Sequence, residues 1–506
     1  MTEAKRESWS PRLRADVRLD REGARPCLVD PRFARRIPAG PLTQALAERL
    51  TGARSLDELC AELPGERADA ESALRALLLL GLVEGEFAAG LEPAPATREA
   101  RVLPQARFGC QASGNCCRVF RPGPLTEGDR ARLAAAEPAL LAAFPHLPPP
   151  ETWIEEEQAG GYLRRIEGAC EFLLEDHRCA IHAAVGFDQK PECCRLFPFD
   201  VVRTLRETRV HEVAQCSRYA ESTATGETHA EAAPAARALA ADEPSLFHPL
   251  VLLPSGAPCD YSLLAPLEAR LLRLCDQAPL GERVPRLAAL AWEHAGALAG
   301  CPLDPAEPSR SAAAIEQREL ASPPPAPEAG ELTLALHAAR EGLLTTASDP
   351  AEREAPLLDP FRDALDTALT WAAQRAGLAD GEPPEVVDRA AELPLDLETA
   401  DRLLATSLRN RLYGAKLLVA GHLAAGVLRL ALLELIALTS ARLHAAEAGA
   451  ERVEAEHLSA GHWVASLCLA REALARALVP LARSAQPIAH GAIGLALTPR
   501  AAPKAE

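Results

Sequence analysis

Eight cysteines, Cys110, Cys116, Cys117, Cys170, Cys179, Cys193, Cys194 and Cys216, fall within residues 110–216. More than half of the fourteen thiols therefore occupy about a fifth of the 506 residues. The chain opens MTEAKRESWSPRLRADVRLD, which is charged and lacks the apolar core of a secretory signal. A cytoplasmic location is the expectation, and there dense cysteines serve metals or redox chemistry rather than disulfides. Thiolates are soft ligands that select zinc or iron–sulfur clusters over magnesium or calcium. Ligands drawn from distant segments would make metal binding part of the folding free energy.

Three pieces carry this chemistry: FGCQASGNCCRVF at 108–120, CEFLLEDHRCAIHAAVGFDQKPECCRLFPF at 170–199, and AQCSRY, which supplies Cys216. Gly109 and Gly114 flank the first cysteine group and would let the backbone turn tightly around an ion. Side chains of adjacent residues leave the backbone in divergent directions, so Cys116 and Cys117 are expected to serve different metals or roles. Eight thiols suffice for two closed four-thiolate zinc sites, or for one four-iron cluster with cysteines to spare. His177 and His182 are candidate substitute ligands. Lys190, Pro191 and Arg195 read as structural, with Arg195 also able to donate to cluster sulfurs or hold an anionic substrate. The remaining cysteines, Cys27, Cys60, Cys259, Cys275, Cys301 and Cys468, are scattered singly and read as small core residues.

These segments resemble the YkgJ-like cysteine-cluster family, a zinc- or iron-chelating domain with a CxxCxxCC signature. The likeness covers about residues 108–220. It implies family cysteines at Cys110, Cys116, Cys117, Cys170, Cys179, Cys194 and Cys216, with Lys190, Pro191, Arg195 and Pro198 at other recurrent positions. The second signature position is Ser113 rather than cysteine, and Cys193, beside Cys194, would restore the ligand count to eight. Longer members are labelled flagellin lysine N-methylases. That label implies a protein or peptide substrate and S-adenosylmethionine as methyl donor, and the run SLRNRLYGAKLLVAGHLAAG resembles their helical tail. Against conventional methyl transfer, the sequence has no Gly-rich loop after a strand and no C-x3-C-x2-C signature. A non-enzymatic interaction platform with structural zinc is the alternative.

A chain this long exceeds one ordinary core. Hydrophobic residues at 48% mark globular protein, and the dominance of alanine and leucine, with aromatics at 4%, favours helix. The expected class is mainly α and multidomain. Residues 12–90 read as a small α+β unit resembling winged-helix or PqqD-like modules, with VRLD and CLVD pairing, a helix from Pro41 to Leu50, a capping box at Ser55–Glu58, and LVEGEF closing as a strand. LEPAPATREA marks a linker before the cysteine domain at 105–225. Residues 226–300 are expected to be a helical extension, 301–331 an extended, mobile Pro-rich linker, and 332–485 a helical bundle.

The net charge of −17 repels phosphate backbones, so nucleic acid is not an expected partner. The apolar stretch Leu417 to Leu438 contains His422, Arg429 and Glu434 and reads as a buried helix rather than a membrane span. His422 and Glu434 are expected to be buried and hydrogen-bonded there. Glu155-Glu156-Glu157 reads as a solvated face. No GxSxG elbow, P-loop or HExxH appears.

Overall fold

The fold is a computed structural model that describes residues 9–91, 100–228, 249–318 and 385–470, except 23–24, 104–105, 159, 205–206 and 214, with isolated positions between 331 and 371 and between 477 and 497. It is mainly α. A three-stranded antiparallel sheet opens the chain: β1 (Arg18–Asp20), β2 (Cys27–Asp30) and β3 (Arg35–Pro38), in the order β1-β2-β3. Leu28 and Ile37 alternate inward from it onto α1 (Pro41–Arg49), α2 (Leu56–Glu62) and α3 (Arg67–Leu79). The VRLD and CLVD strands pair as expected. At the start of α2 the Ser55 hydroxyl accepts from the Glu58 N–H while the Glu58 carboxylate reaches back to Ser55, which satisfies the free amides of the first turn.

LVEGEF is not a strand. Val83 makes only an isolated bridge to Leu13, and Glu86–Gly90 forms a short helix, α4. Its Phe87 N–H donates to the Pro305 carbonyl at 3.1 Å, a contact that local pattern does not encode.

In the next region β4 (Ala100–Val102) and β5 (Arg107–Phe108) lead to α5 (Asn115–Val119) and α6 (Glu127–Ala143). Two small hairpins follow, β6 (Ile154–Glu157) with β7 (Gly160–Leu163), and β8 (Arg165–Ile166) with β9 (Ala169–Cys170). Then come α7 (Ala180–Val185), α8 (Glu192–Leu196), β10 (Phe199–Arg203), β11 (Thr208–Glu212), α9 (Tyr219–Thr225) and β12 (Glu227–Thr228). The ends close on each other: β4 runs parallel to β11, and β5 pairs antiparallel with β12. Glu155, Glu156 and Glu157 lie on a strand, where Arg121 pairs with Glu155 and Glu157 and Arg130 pairs with Glu156.

Residues 250–260 depart from the expected helix. They form a hairpin of β13 (Leu250–Leu252) and β14 (Pro258–Asp260) before α10 (Ala265–Gln277) and α11 (Arg283–Ala299). The hairpin is welded to the N-terminal sheet by charge. Arg35 donates to Asp30 and, at 2.6 Å, to Asp260, while Arg14 pairs with Asp30 at 2.9 Å; all four side chains are buried. The segment after Cys301 is also not extended: α12 (Glu307–Ala313) and a 3-10 turn bury Pro308, Ala312 and Ile315. Five apolar side chains, Cys301, Leu303, Ala306, Ala312 and Ile315, supply burial that outweighs the prolines. Residues 319–330 of the expected linker lie outside the described residues.

The C-terminal helices are α13 (Glu385–Glu392), α14 (Leu397–Tyr413), α15 (Leu423–Glu447) and α16 (Ala455–Ala470). The 25-residue α15 is long and apolar enough to cross a membrane, yet 94% of its most apolar window is buried inside the fold. It lies so close to α16 that a Cβ on Gly461 would sit 2.2 Å from the Ala437 carbonyl, so only glycine permits this approach. Glu434 is buried but not hydrogen-bonded as expected. Neither of its carboxylate oxygens has a hydrogen-bond partner among the described residues, and burial pushes its pKa up to about 7 against the pull of Arg283. His422 caps α15 through its backbone, which exchanges hydrogen bonds with Val419.

Candidate metal centre

The eight clustered cysteines sit at the ends of short elements. Cys110 follows β5 and is exposed. Gly114, at φ +68°, turns the chain into α5, whose first turn holds Cys116 and Cys117. Cys170 ends β9 and is buried, and Cys179 stands at the start of α7. Cys193 and Cys194 occupy the first turn of α8, and Cys216 follows β11 in a loop where its sulfur accepts from the Arg218 N–H at 3.4 Å.

The adjacent cysteines do not diverge. The Cys116 and Cys117 sulfurs are 3.9 Å apart, and those of Cys193 and Cys194 are 4.0 Å apart. A helical first turn allows both side chains of such a pair to lean to one side, which the divergence expected from the backbone alone overlooks. Zinc–sulfur bonds of about 2.3 Å at tetrahedral angles place neighbouring thiolates about 3.8 Å apart. Each pair thus has the spacing of two ligands on one ion, and this donor set fits zinc or iron.

The pairs and single thiols are within electrostatic reach of one another. Cys117 interacts with Cys116, Cys170 and Cys179; Cys170 with Cys179 and Cys193; Cys194 with Cys170; and Cys216 with Cys110 and Cys116. Among the described residues, no three His, Cys, Asp or Glu side chains converge as a metal-holding group. The thiols are assembled as neighbouring pairs rather than as a closed shell.

Their protonation is uneven. A hydrogen bond from Cys117 holds the Cys116 thiol down to about 6, and Cys194 likewise lowers Cys193. The donating partner of each pair is raised in turn. Burial pushes Cys170 and Cys216 up to about 12. Lys190 favours the thiolate at both Cys116 and Cys194, so its ammonium serves both pairs. It also lies over the Phe187 ring at 5.5 Å.

Other expected residues fall at the margin. His177 is exposed and contacts Arg118 at 3.4 Å, while exposed His182 meets the Phe187 ring edge-on at 5.9 Å. Arg195 has a buried Nε without a hydrogen-bond partner among the described residues. Ser113 is tied into a polar wall: Ser217 donates to its hydroxyl at 3.0 Å, and the Asn115 amide donates to Ser217 at 2.9 Å. That wall lines a cleft of about 600 Å³ that His177, Arg218, Glu221 and Glu456 also line.

Cys27, Cys259, Cys275 and Cys301 are buried and Cys60 is half-buried against the N-terminal core, as small apolar residues; the side chain of Cys468 lies outside the described ones. Sequence reading passed over Asp129. Its carboxylate caps α6 and also accepts from the Glu192 N–H at 2.7 Å. The signal was present as Thr126-x-x-Asp129, the same box pattern as Ser55–Glu58.

The fold and this site define a mainly α protein with a thiol-rich segment. Residues 109–217 match the CxxCxxCC family, described as a "putative zinc- or iron-chelating domain", over about a fifth of the chain. Zinc or iron chelation thus rests on the family match, and the vicinal thiols are compatible with it. No curated protein and no solved structure matches the chain.

Proposed function

We propose that Cys110, Cys116, Cys117, Cys170, Cys179, Cys193, Cys194 and Cys216 hold zinc or an iron–sulfur cluster that binds residues 108–216 into one body. The carrying observation is the pair of vicinal thiols at 3.9 and 4.0 Å, with four more cysteines within electrostatic reach. Lys190 offsets the negative charge that accumulates as the thiols ionise. Thirteen described cysteines are free, which accords with a reducing, cytoplasmic setting.

The cleft beside the thiols supports an enzymatic reading on top of this one. Its wall adjoins Cys116 and Cys216 in sequence, and its two carboxylates, Glu221 and Glu456, suit a cationic side chain. A protein lysine N-methylase using S-adenosylmethionine, as the cysteine-cluster resemblance implies, would place its substrate there. The alternative, an interaction platform with structural zinc, draws support from the buried joint between this region and the bundle. There Tyr219 donates to Glu212 at 3.1 Å, Asn410 donates to Tyr219 at 3.2 Å, and the Tyr219 ring stacks on His462 at 4.6 Å.

Metal analysis with an absorption spectrum after anaerobic purification tests the centre. Bound iron with acid-labile sulfide, or stoichiometric zinc, is expected in the wild-type protein and should be lost from Cys116→Ala/Cys117→Ala. Folded wild-type protein free of both metals overturns the reading. Transfer of labelled methyl groups from S-adenosylmethionine to a lysine peptide, abolished by Glu221→Gln, separates enzyme from platform.

A further inference from the structure

We infer that Asp129 is the positioning residue for the Cys193–Cys194 pair, acting through the backbone of α8; this rests on the metal centre proposed above. Only 2% of Asp129 is exposed. A buried carboxylate is costly unless every lone pair is used. Its Oδ2 accepts from the Thr126 N–H and hydroxyl, both at 2.9 Å, which is helix-capping work. Its Oδ1 does something else. It accepts from the Glu192 N–H at 2.7 Å, across 63 residues of sequence, and pairs with Arg132. Glu192 is the first residue of α8, and the next two residues are Cys193 and Cys194.

Beyond this anchor, α8 is held by Leu196, which packs half-buried against Ala100 and Val210, and by the Gly123 backbone, which bonds the Cys193 thiol. α8 spans five residues and has no buried residue, and its preceding Pro191 offers no side-chain cap. A single short turn with one half-buried apolar side chain is marginal by itself. The charge-assisted bond to Asp129 fixes where the helix begins and so where both sulfurs stand. A second carbonyl-side contact, Cys194 N–H to Pro191 O at 3.0 Å, keeps the turn closed but does not locate it against α6.

Three variants isolate the Glu192 contact. Asp129→Ala removes the anchor and the cap together. Glu192→Pro removes the N–H that Asp129 accepts and leaves Asp129 and its cap of α6 in place, at a helix position and after an extended residue where proline is tolerated. Thr126→Ala weakens the α6 cap and leaves the Glu192 contact in place. Zn2+ alone is titrated into anaerobic, metal-free, full-length protein against a chromophoric chelator, with Co2+ absorption as a count of thiolate ligands. Asp129→Ala and Glu192→Pro should bind Zn2+ about 10–100-fold more weakly, the range for outer partners of metal ligands. Both should show reduced sulfur-to-cobalt absorption, while Thr126→Ala keeps wild-type affinity. Should Asp129→Ala not fold, Glu192→Pro decides. Wild-type affinity in Glu192→Pro overturns the inference while leaving the metal centre intact. Failure of the wild-type protein to bind Zn2+ or Co2+ overturns both.

Discussion

The C-terminal bundle and the cysteine region are built on opposite principles. In α15, twenty-two of the twenty-five residues are buried, and the helix packs into one continuous apolar core with α10, α11, α14 and α16. In the cysteine region, α5 and α8 bury no residue at all, and the apolar core there reduces to a small group around Trp153, Phe172 and Leu140. The bundle has burial to spare, enough to tolerate a Glu434 carboxylate without a hydrogen-bond partner among the described residues. Cys170 lies in the small core around Trp153, Cys117 and Cys179 pack against it and Cys216 packs against the bundle core; on the proposed ligation, Cys110, Cys193 and Cys194, outside these cores, would take their order from what the sulfurs bind. On the proposed ligation, one chain contains a segment stabilised by solvent exclusion and another stabilised by its metal, joined through Tyr219, Glu212 and Asn410.

The largest expected effect comes from removing both vicinal pairs. Replacing Cys116, Cys117, Cys193 and Cys194 by alanine should abolish metal binding. The cysteine region then loses a term on the order of 10 kcal/mol, the scale of structural zinc in small domains. Limited proteolysis should cut within 108–216 while the bundle survives; equal resistance in both regions would break the contrast.

Next in size is a cavity in the bundle. Leu435→Ala, at a fully buried position of α15, should cost about 2–5 kcal/mol in chemical unfolding. Its metal stoichiometry should stay that of the wild-type protein. Loss of metal from this variant would mean that the two regions are not independent.

The smallest effect sharpens the picture of the bundle. Burial raises Glu434 from 4.5 to about 7, so the folded state holds its proton where the unfolded chain has released it. Stability therefore falls as pH rises from about 4.5 through 7, then levels. Arg283, which favours the carboxylate, and Asp401, which opposes it, are the charges that face this group. Glu434→Gln should remove this dependence, so the variant gains roughly 1–3 kcal/mol on wild type between pH 5 and pH 8. Parallel curves for the two proteins would show that Glu434 is compensated.

What was legible in the sequence was local. The Ser55–Glu58 box, the β1–β2 pairing and the helices described within 385–470 follow from residue type at short spacing, and the cysteine cluster follows from density alone. What was not legible depended on partners distant in sequence. Gly85-Glu86-Phe87 reads as strand until Pro305 is seen beside it, and the proline-rich stretch after Cys301 reads as linker until Pro308, Ala312 and Ile315 are found in the core. The vicinal sulfurs show the same limit within the site: divergence holds for an extended pair, whereas the short helices after Gly114 and Pro191 bring the sulfurs together. The role of Asp129 needed the fold outright, because Glu192 lies 63 residues away.

Hydrogen–deuterium exchange on the full-length protein, with and without a strong chelator, tests the central contrast most directly. Chelation should expose the amides of α5, α7 and α8 to rapid exchange while α14, α15 and α16 keep their protection. Unchanged protection of α5 and α8 after complete metal removal would contradict the account.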